Sequence, residues 1–110
     1  MAIVDRTSLI LQLVDSIVQG LTPEKVILFG SQAKGQVDED SDIDLLIVAD
    51  SKQDRLERTW RVYRLLKGKR NSPLDVIVLT PREYEEMKNR GYPFIREIEE
   101  EGTVLYERSR

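Results

Sequence analysis

The 110 residues include neither cysteine nor histidine. Without cysteine there are no disulfides, thiol nucleophiles or thiolate zinc sites. Without histidine there are no imidazole general bases, Ser-His-Asp triads, haem or zinc histidines, or histidine pH switches. Any metal site must therefore be built from oxygen, which favours hard ions such as Mg²⁺, Mn²⁺ or Ca²⁺. Positive charge is not in excess. Seventeen Lys and Arg face twenty Asp and Glu, for a net charge of −3, so nothing favours nonspecific nucleic-acid binding. Long apolar runs are also missing. No stretch approaches the roughly 18 residues of a membrane span. The first twenty residues are interrupted by Asp5, Arg6, Gln12 and Asp15 and have no basic lead, unlike a signal peptide. A cytoplasmic protein with a single domain over residues 1–110 is the expectation.

What is present is an alternation of helical and strand patterns. Ile10, Leu13, Val14, Ile17 and Leu21 recur at helical spacing, and Gly20 and Pro23 punctuate the end. Val26 to Phe29 reads as a buried strand closed by Gly30. Residues 31–35 turn and could open a short helix, residues 37–41 form an acidic loop, and Ile43 to Val48 is a second strand. Ser51 to Lys67 is expected to be a helix with Leu56, Trp60, Tyr63 and Leu66 inward. Lys67, Lys69 and Arg70 suit its C-terminal end. Leu74 to Leu79 is nearly all apolar, which predicts a central strand. Thr80, Pro81 and Glu83 form an N-cap, a first-turn proline and a capping box. Gly91 to Pro93 breaks that helix. Phe94 to Glu101 makes another, and Thr103 to Tyr106 reads as a last edge strand. The order implies an α/β or α+β fold, a small mixed sheet with helices packed on it.

The chemistry concentrates between Gly30 and Asp44: Gly-Ser, ten residues, then Asp-Ile-Asp. Strand alternation puts Asp42 and Asp44 on one face and turns Ile43 and Leu45 toward a core. Adjacent carboxylates repel, and a divalent ion removes the repulsion. Two ions about 3.5–4 Å apart can clamp an in-line phosphoryl displacement. The plainer alternative is a pair of solvated charges at a strand edge. Gly30 lets a phosphate approach the backbone, and Ser31 adds a hydroxyl near a helix start. An ordinary strand-to-helix turn would look the same. Lys34 could add charge to a phosphate or simply be solvated. Asp75, in an otherwise apolar strand, needs a metal, a cation, hydrogen bonds or water at the strand end.

Three other motifs fail. Gln36 and Val37 follow Gly35 where a Walker A loop needs Lys and Ser or Thr. No Gly-x-Gly-x-x-Gly occurs. The run Asp38, Asp40, Asp42 lacks the glycine and the final glutamate of a calcium loop.

Gly30-Ser31, Ser41-Asp42-Ile43-Asp44 and the later Asp75 resemble the nucleotidyltransferase superfamily typified by DNA polymerase beta, and the short length resembles its minimal nucleotidyltransferase (MNT) branch. The resemblance implies a polymerase-beta-like fold that binds ATP with Mg²⁺, two ions being usual. Asp42, Asp44 and Asp75 would be the metal ligands and Asp75 the candidate base. Gly30, Ser31 and Lys34 would bind the nucleotide. Many members carry Arg at the positions of Gln32 and Lys34; lysine keeps a point charge without the bidentate fork. The resemblance further implies AMP transfer onto a hydroxyl of a HEPN-domain toxin, with this chain as its antitoxin. Two other readings stand beside it: a non-catalytic module that neutralises such a partner by contact, and a stand-alone small-molecule nucleotidyltransferase. Tyr84, Met87, Tyr92 and Phe94 could be core or interface.

Overall fold

A computed structural model describes residues 6–30, 33, 42–69 and 73–109. The elements are α1 (Arg6–Leu21), β1 (Lys25–Phe29), β2 (Ile43–Val48), α2 (Arg55–Leu65), β3 (Leu74–Leu79), α3 (Pro81–Asn89), α4 (Pro93–Glu101) and β4 (Thr103–Glu107). The strands form one mixed sheet in the order β3-β2-β1-β4. β1 is antiparallel to both of its neighbours, while β2 and β3 run parallel. A parallel pair needs a crossover, and α2 supplies it. The possible short helix over 31–35 and the acidic loop over 37–41 lie outside the described residues, except that Ala33 is half-buried against the core.

Period-two alternation divides the sheet into two layers. Ile43, Leu45 and Ile47 join Leu74, Val76 and Val78 beneath the apolar stripes of α1 and α2. Leu46, Val48 and Leu79 face the other way, with Tyr84 of α3 and Ile95 and Ile98 of α4. Each such side chain, fully buried, contributes about 1.5–3 kcal/mol relative to exposure. Asp44 and Asp75 share the parity of this second layer but sit at the end of the strands, where it runs out. No helix among the described residues is long and apolar enough to cross a membrane.

Two expectations are corrected. The apolar run Leu74–Leu79 predicted a central strand, yet β3 is an edge strand. Its apolarity comes from cover on both faces, not from a neighbour on both sides. In α2, Leu56 and Trp60 are exposed, at 66% and 52%, although their hydrophobicity predicted an inward face. The buried stripe is Arg58, Val62 and Leu66, again at spacing four. The helix begins at Arg55, where Asp54 caps it by accepting from the Glu57 amide at 2.9 Å.

A charged residue faces inward because its partners are waiting. Arg58 is 8% exposed. Its Nε donates to the Gln53 carbonyl at 2.7 Å, and its Nη1 donates to the Glu83 carboxylate at 2.6 Å and to the Val78 carbonyl at 3.3 Å. Glu83 also accepts from the Thr80 amide at 2.8 Å, while Thr80 Oγ1 accepts from the Glu83 amide at 3.2 Å. The capping box of α3 is thus tied to α2 across the end of β3. Burial works against the Glu83 charge, but the Arg58 guanidinium and the Thr80 amide hold its pKa below the ordinary glutamate value. Folding therefore gains stability from Glu83 above the ordinary value and loses it as pH falls through the lowered one. We expect Glu83→Gln, which keeps an acceptor but removes the charge, to destabilise by about 1–2 kcal/mol at neutral pH. Urea unfolding from pH 7 to 3 should show the difference from the parent closing at the acidic end. A constant difference would mean that the charge is not responsible.

Candidate active site

The register of the sheet builds the site. Asp44 is the second residue of β2 and Asp75 the second of β3, and the two are direct partners in the parallel ladder. On the other side of β2, Asp44 is paired with Phe29, the last residue of β1. Gly30 follows with φ of +74°. A β-carbon there would collide with the Asp44 carboxylate. Gly30, Asp44 and Asp75 therefore form a row across three strands. Asp42, just before β2, is exposed, Asp44 is half-buried and Asp75 is exposed.

The electrostatics single out Asp44. Burial, then the charges of Asp75 and Asp42 and a hydrogen bond with Asp75, push its pKa up. The Asp75 and Asp42 charges lie close enough to oppose the ionisation of Asp44, the situation a cation relieves. Among the described residues, no group of three acidic side chains closes into a cage able to hold an ion. The side chains of this row offer only oxygen donors, which fits a hard divalent cation.

Of the sequence-predicted residues, the structure brings Gly30, Asp44 and Asp75 together and places Asp42 within their field. Ser31, Gln32 and Lys34 lie outside the described residues. One feature was missed. Beside Gly30, a slot of about 170 Å³ opens between the sheet and α4. Phe29 and Phe94 meet edge to face in it with centroids 5.6 Å apart, and Glu97 and Glu101 stand at its rim. The sequence signal was Phe94 directly after the proline that starts α4, but pairing with Phe29 is a long-range contact. A larger cavity of about 720 Å³ lies at the opposite end, among Glu24, Lys25, Tyr84 and Arg108. It is remote from the carboxylate row and mixes both signs of charge, so the row, not the larger space, is the candidate site.

Residues 9–106 match the nucleotidyltransferase domain family. This chain belongs to the nucleotidyltransferase family. A candidate protein adenylyltransferase of Methanocaldococcus jannaschii is 39% identical over 85 residues, which is 76% of this chain and 78% of that protein. The crystal structure of a candidate nucleotidyltransferase from Sulfolobus solfataricus superposes with a TM-score of 0.60 at 26% identity, covering 91% of this chain and 78% of that one. A chain of a toxin–antitoxin structure with AMP-PNP superposes at 0.62 and 19% identity, covering 96% and 76%. At that identity the likeness concerns the nucleotidyltransferase fold. The mixed sheet layered with helices is the fold the sequence implied.

Proposed function

We propose that this nucleotidyltransferase transfers AMP from ATP to a hydroxyl of a partner protein, and that the partner is a toxin of the HEPN class for which this chain is the antitoxin. The observation that carries the chemistry is the ladder pairing of Asp44 with Asp75 beside Gly30. The choice of acceptor is supported by the relative described as a protein adenylyltransferase and by the toxin–antitoxin structure.

In this reading the acceptor oxygen attacks the α-phosphorus of ATP and forms the new P–O bond. The bond from that phosphorus to the bridging oxygen breaks, and pyrophosphate leaves. Asp75, exposed on the edge strand, orients the hydroxyl and takes its proton. Gly30 allows close approach of the phosphates to the backbone, and Ser31 and Lys34 add a hydroxyl and a charge to the same group. Asp42, Asp44 and Asp75 would hold Mg²⁺, which when bound neutralises phosphate charge and aligns the transferring group. Positioning and charge stabilisation supply most of the rate. The slot at Phe29 and Phe94 offers an apolar wall for a substrate ring.

The test is label transfer. The chain is mixed with α-labelled ATP, Mg²⁺ and the product of the neighbouring gene, beside an Asp42→Asn/Asp44→Asn control. A partner band labelled only by the intact aspartates is the expected result. A stable complex without label would move the assignment to neutralisation by contact. Label on small hydroxyl compounds alone would move it to a small-molecule enzyme.

A further inference from the structure

Helix α2 carries an outer face that the core does not use. Leu56 and Trp60 stand four residues apart on it, and more than half of each is in water. Trp60 is braced. Its ring meets Tyr63 edge-on with centroids 6.5 Å apart, and the Tyr63 hydroxyl donates to the Leu74 carbonyl at 2.7 Å. Leu74 immediately precedes Asp75. The exposed indole is thus fastened to the edge strand one residue from the candidate base. Its surroundings are mainly cationic: Arg55, Arg61, Arg64 and Lys67 are exposed along the helix, against the single acid Glu57. Neither Arg64 nor Lys67 has an acidic partner among the described residues. In a chain of net charge −3, this face locally reverses the sign.

We infer that this face of α2 is a docking surface for an acidic, apolar-ridged segment of a protein partner. The inference rests on the reading of a protein acceptor above and names where that acceptor binds. Trp and Arg are the residues that most often dominate binding energy at interfaces. A ring already held by Tyr63 loses little conformational entropy on contact. Charge complementarity calls for carboxylates around an apolar ridge. A second copy meeting this face symmetrically would set arginine against arginine. A nucleic acid would find one exposed indole instead of a series of stacking platforms, on a chain with no overall positive charge. Because α2 covers the sheet face opposite the one Asp75 shares with α3 and α4, a partner seated here would reach round the open edge of β3 to bring its hydroxyl to Asp75.

The experiment measures binding of the neighbouring gene's product to the full chain, to Trp60→Ala and to Arg64→Glu, with AMP transfer followed in parallel. Each variant should weaken the complex at least about tenfold, with the Arg64→Glu loss shrinking as salt is raised. The KM for the protein acceptor should rise while the KM for ATP stays at the parental value. Thermal melts confirm folding, and the exposed Arg64 position guards against misreading a packing defect at Trp60. Parental affinity in both variants overturns the inference. So does sedimentation showing that the face pairs two copies, or loss of oligonucleotide binding with partner binding intact. If the unaltered chain binds ATP but forms no complex, the protein-acceptor reading falls as well, which separates the two failures.

Discussion

Asp44→Asn should lower nucleotidyl transfer by about 10²–10³-fold or more, while the melting temperature in metal-free buffer stays level or rises. The two effects have one cause. Asp44 is half-buried beside Asp75 and Asp42, and burial together with their charges opposes its ionisation. An ionised carboxylate held there in the absence of a cation is a local cost to the fold. Asparagine keeps nearly the same shape and removes the charge, so the repulsion across the β2–β3 ladder disappears. The same substitution deletes a carboxylate that would hold the cation, so a transferring phosphate would lose the positive charge that neutralises it. Label transfer and differential scanning calorimetry on the same preparation check the pair of outcomes. Retained activity would remove Asp44 from the site. A large drop in melting temperature would show that the carboxylate is structural, held by contacts that outweigh the repulsion.

Gly30→Ala should impair both properties. At φ of +74° a residue with a β-carbon carries roughly 1–2 kcal/mol of strain, and that β-carbon would also run into the Asp44 carboxylate. The carboxylate must turn away from its place in the row, so transfer should fall nearly as far as in Asp44→Asn. Gly30→Asn separates the two causes. Asparagine tolerates the left-handed region better than alanine does, so it should recover part of the stability. It has the same β-carbon, so it should recover little of the activity. Denaturant midpoints and transfer rates for the two variants provide the comparison. Full recovery of activity in Gly30→Asn would mean that backbone strain, and not contact with Asp44, sets the requirement for glycine.

These expectations rest on features of unequal visibility in the chain. β2 was legible to the residue, since the stretch Ile43–Val48 is bounded by Asp42 and by Asp50, and its alternation placed Asp44 opposite Ile43 and Leu45. The start of α3 was equally plain, because Thr80, Pro81 and Glu83 are a local code whose hydrogen bonds close within four residues. Asp75 stood out as a charge in an apolar run. The edge position of β3 was hidden, because apolarity on both faces reports helices above and below and not the number of neighbouring strands. The facing of α2 was hidden too. Two stripes at spacing four compete in that helix, Leu56 with Trp60 and Arg58 with Val62, while Leu66, expected inward, is buried beside the second. Hydropathy favours the first, but the second turns inward because Glu83, twenty-five residues away, and the Val78 carbonyl satisfy Arg58.

The sequence by itself determined the kind of chemistry open to this protein. Lacking His and Cys, it leaves only oxygen donors for a metal, and the spacing of Gly30, Asp42 and Asp44 pointed toward phosphate and a hard cation. It also determined most strand and helix positions, because hydrophobic period and capping are local. Tertiary structure alone decided that Asp75 stands level with Asp44, that Phe94 closes a slot on Phe29, and that Trp60 is left on the outside. Each of these depends on the register between strands or on which of two helix faces finds its partners. Both are settled by packing between residues far apart in the chain, where no local pattern carries the information.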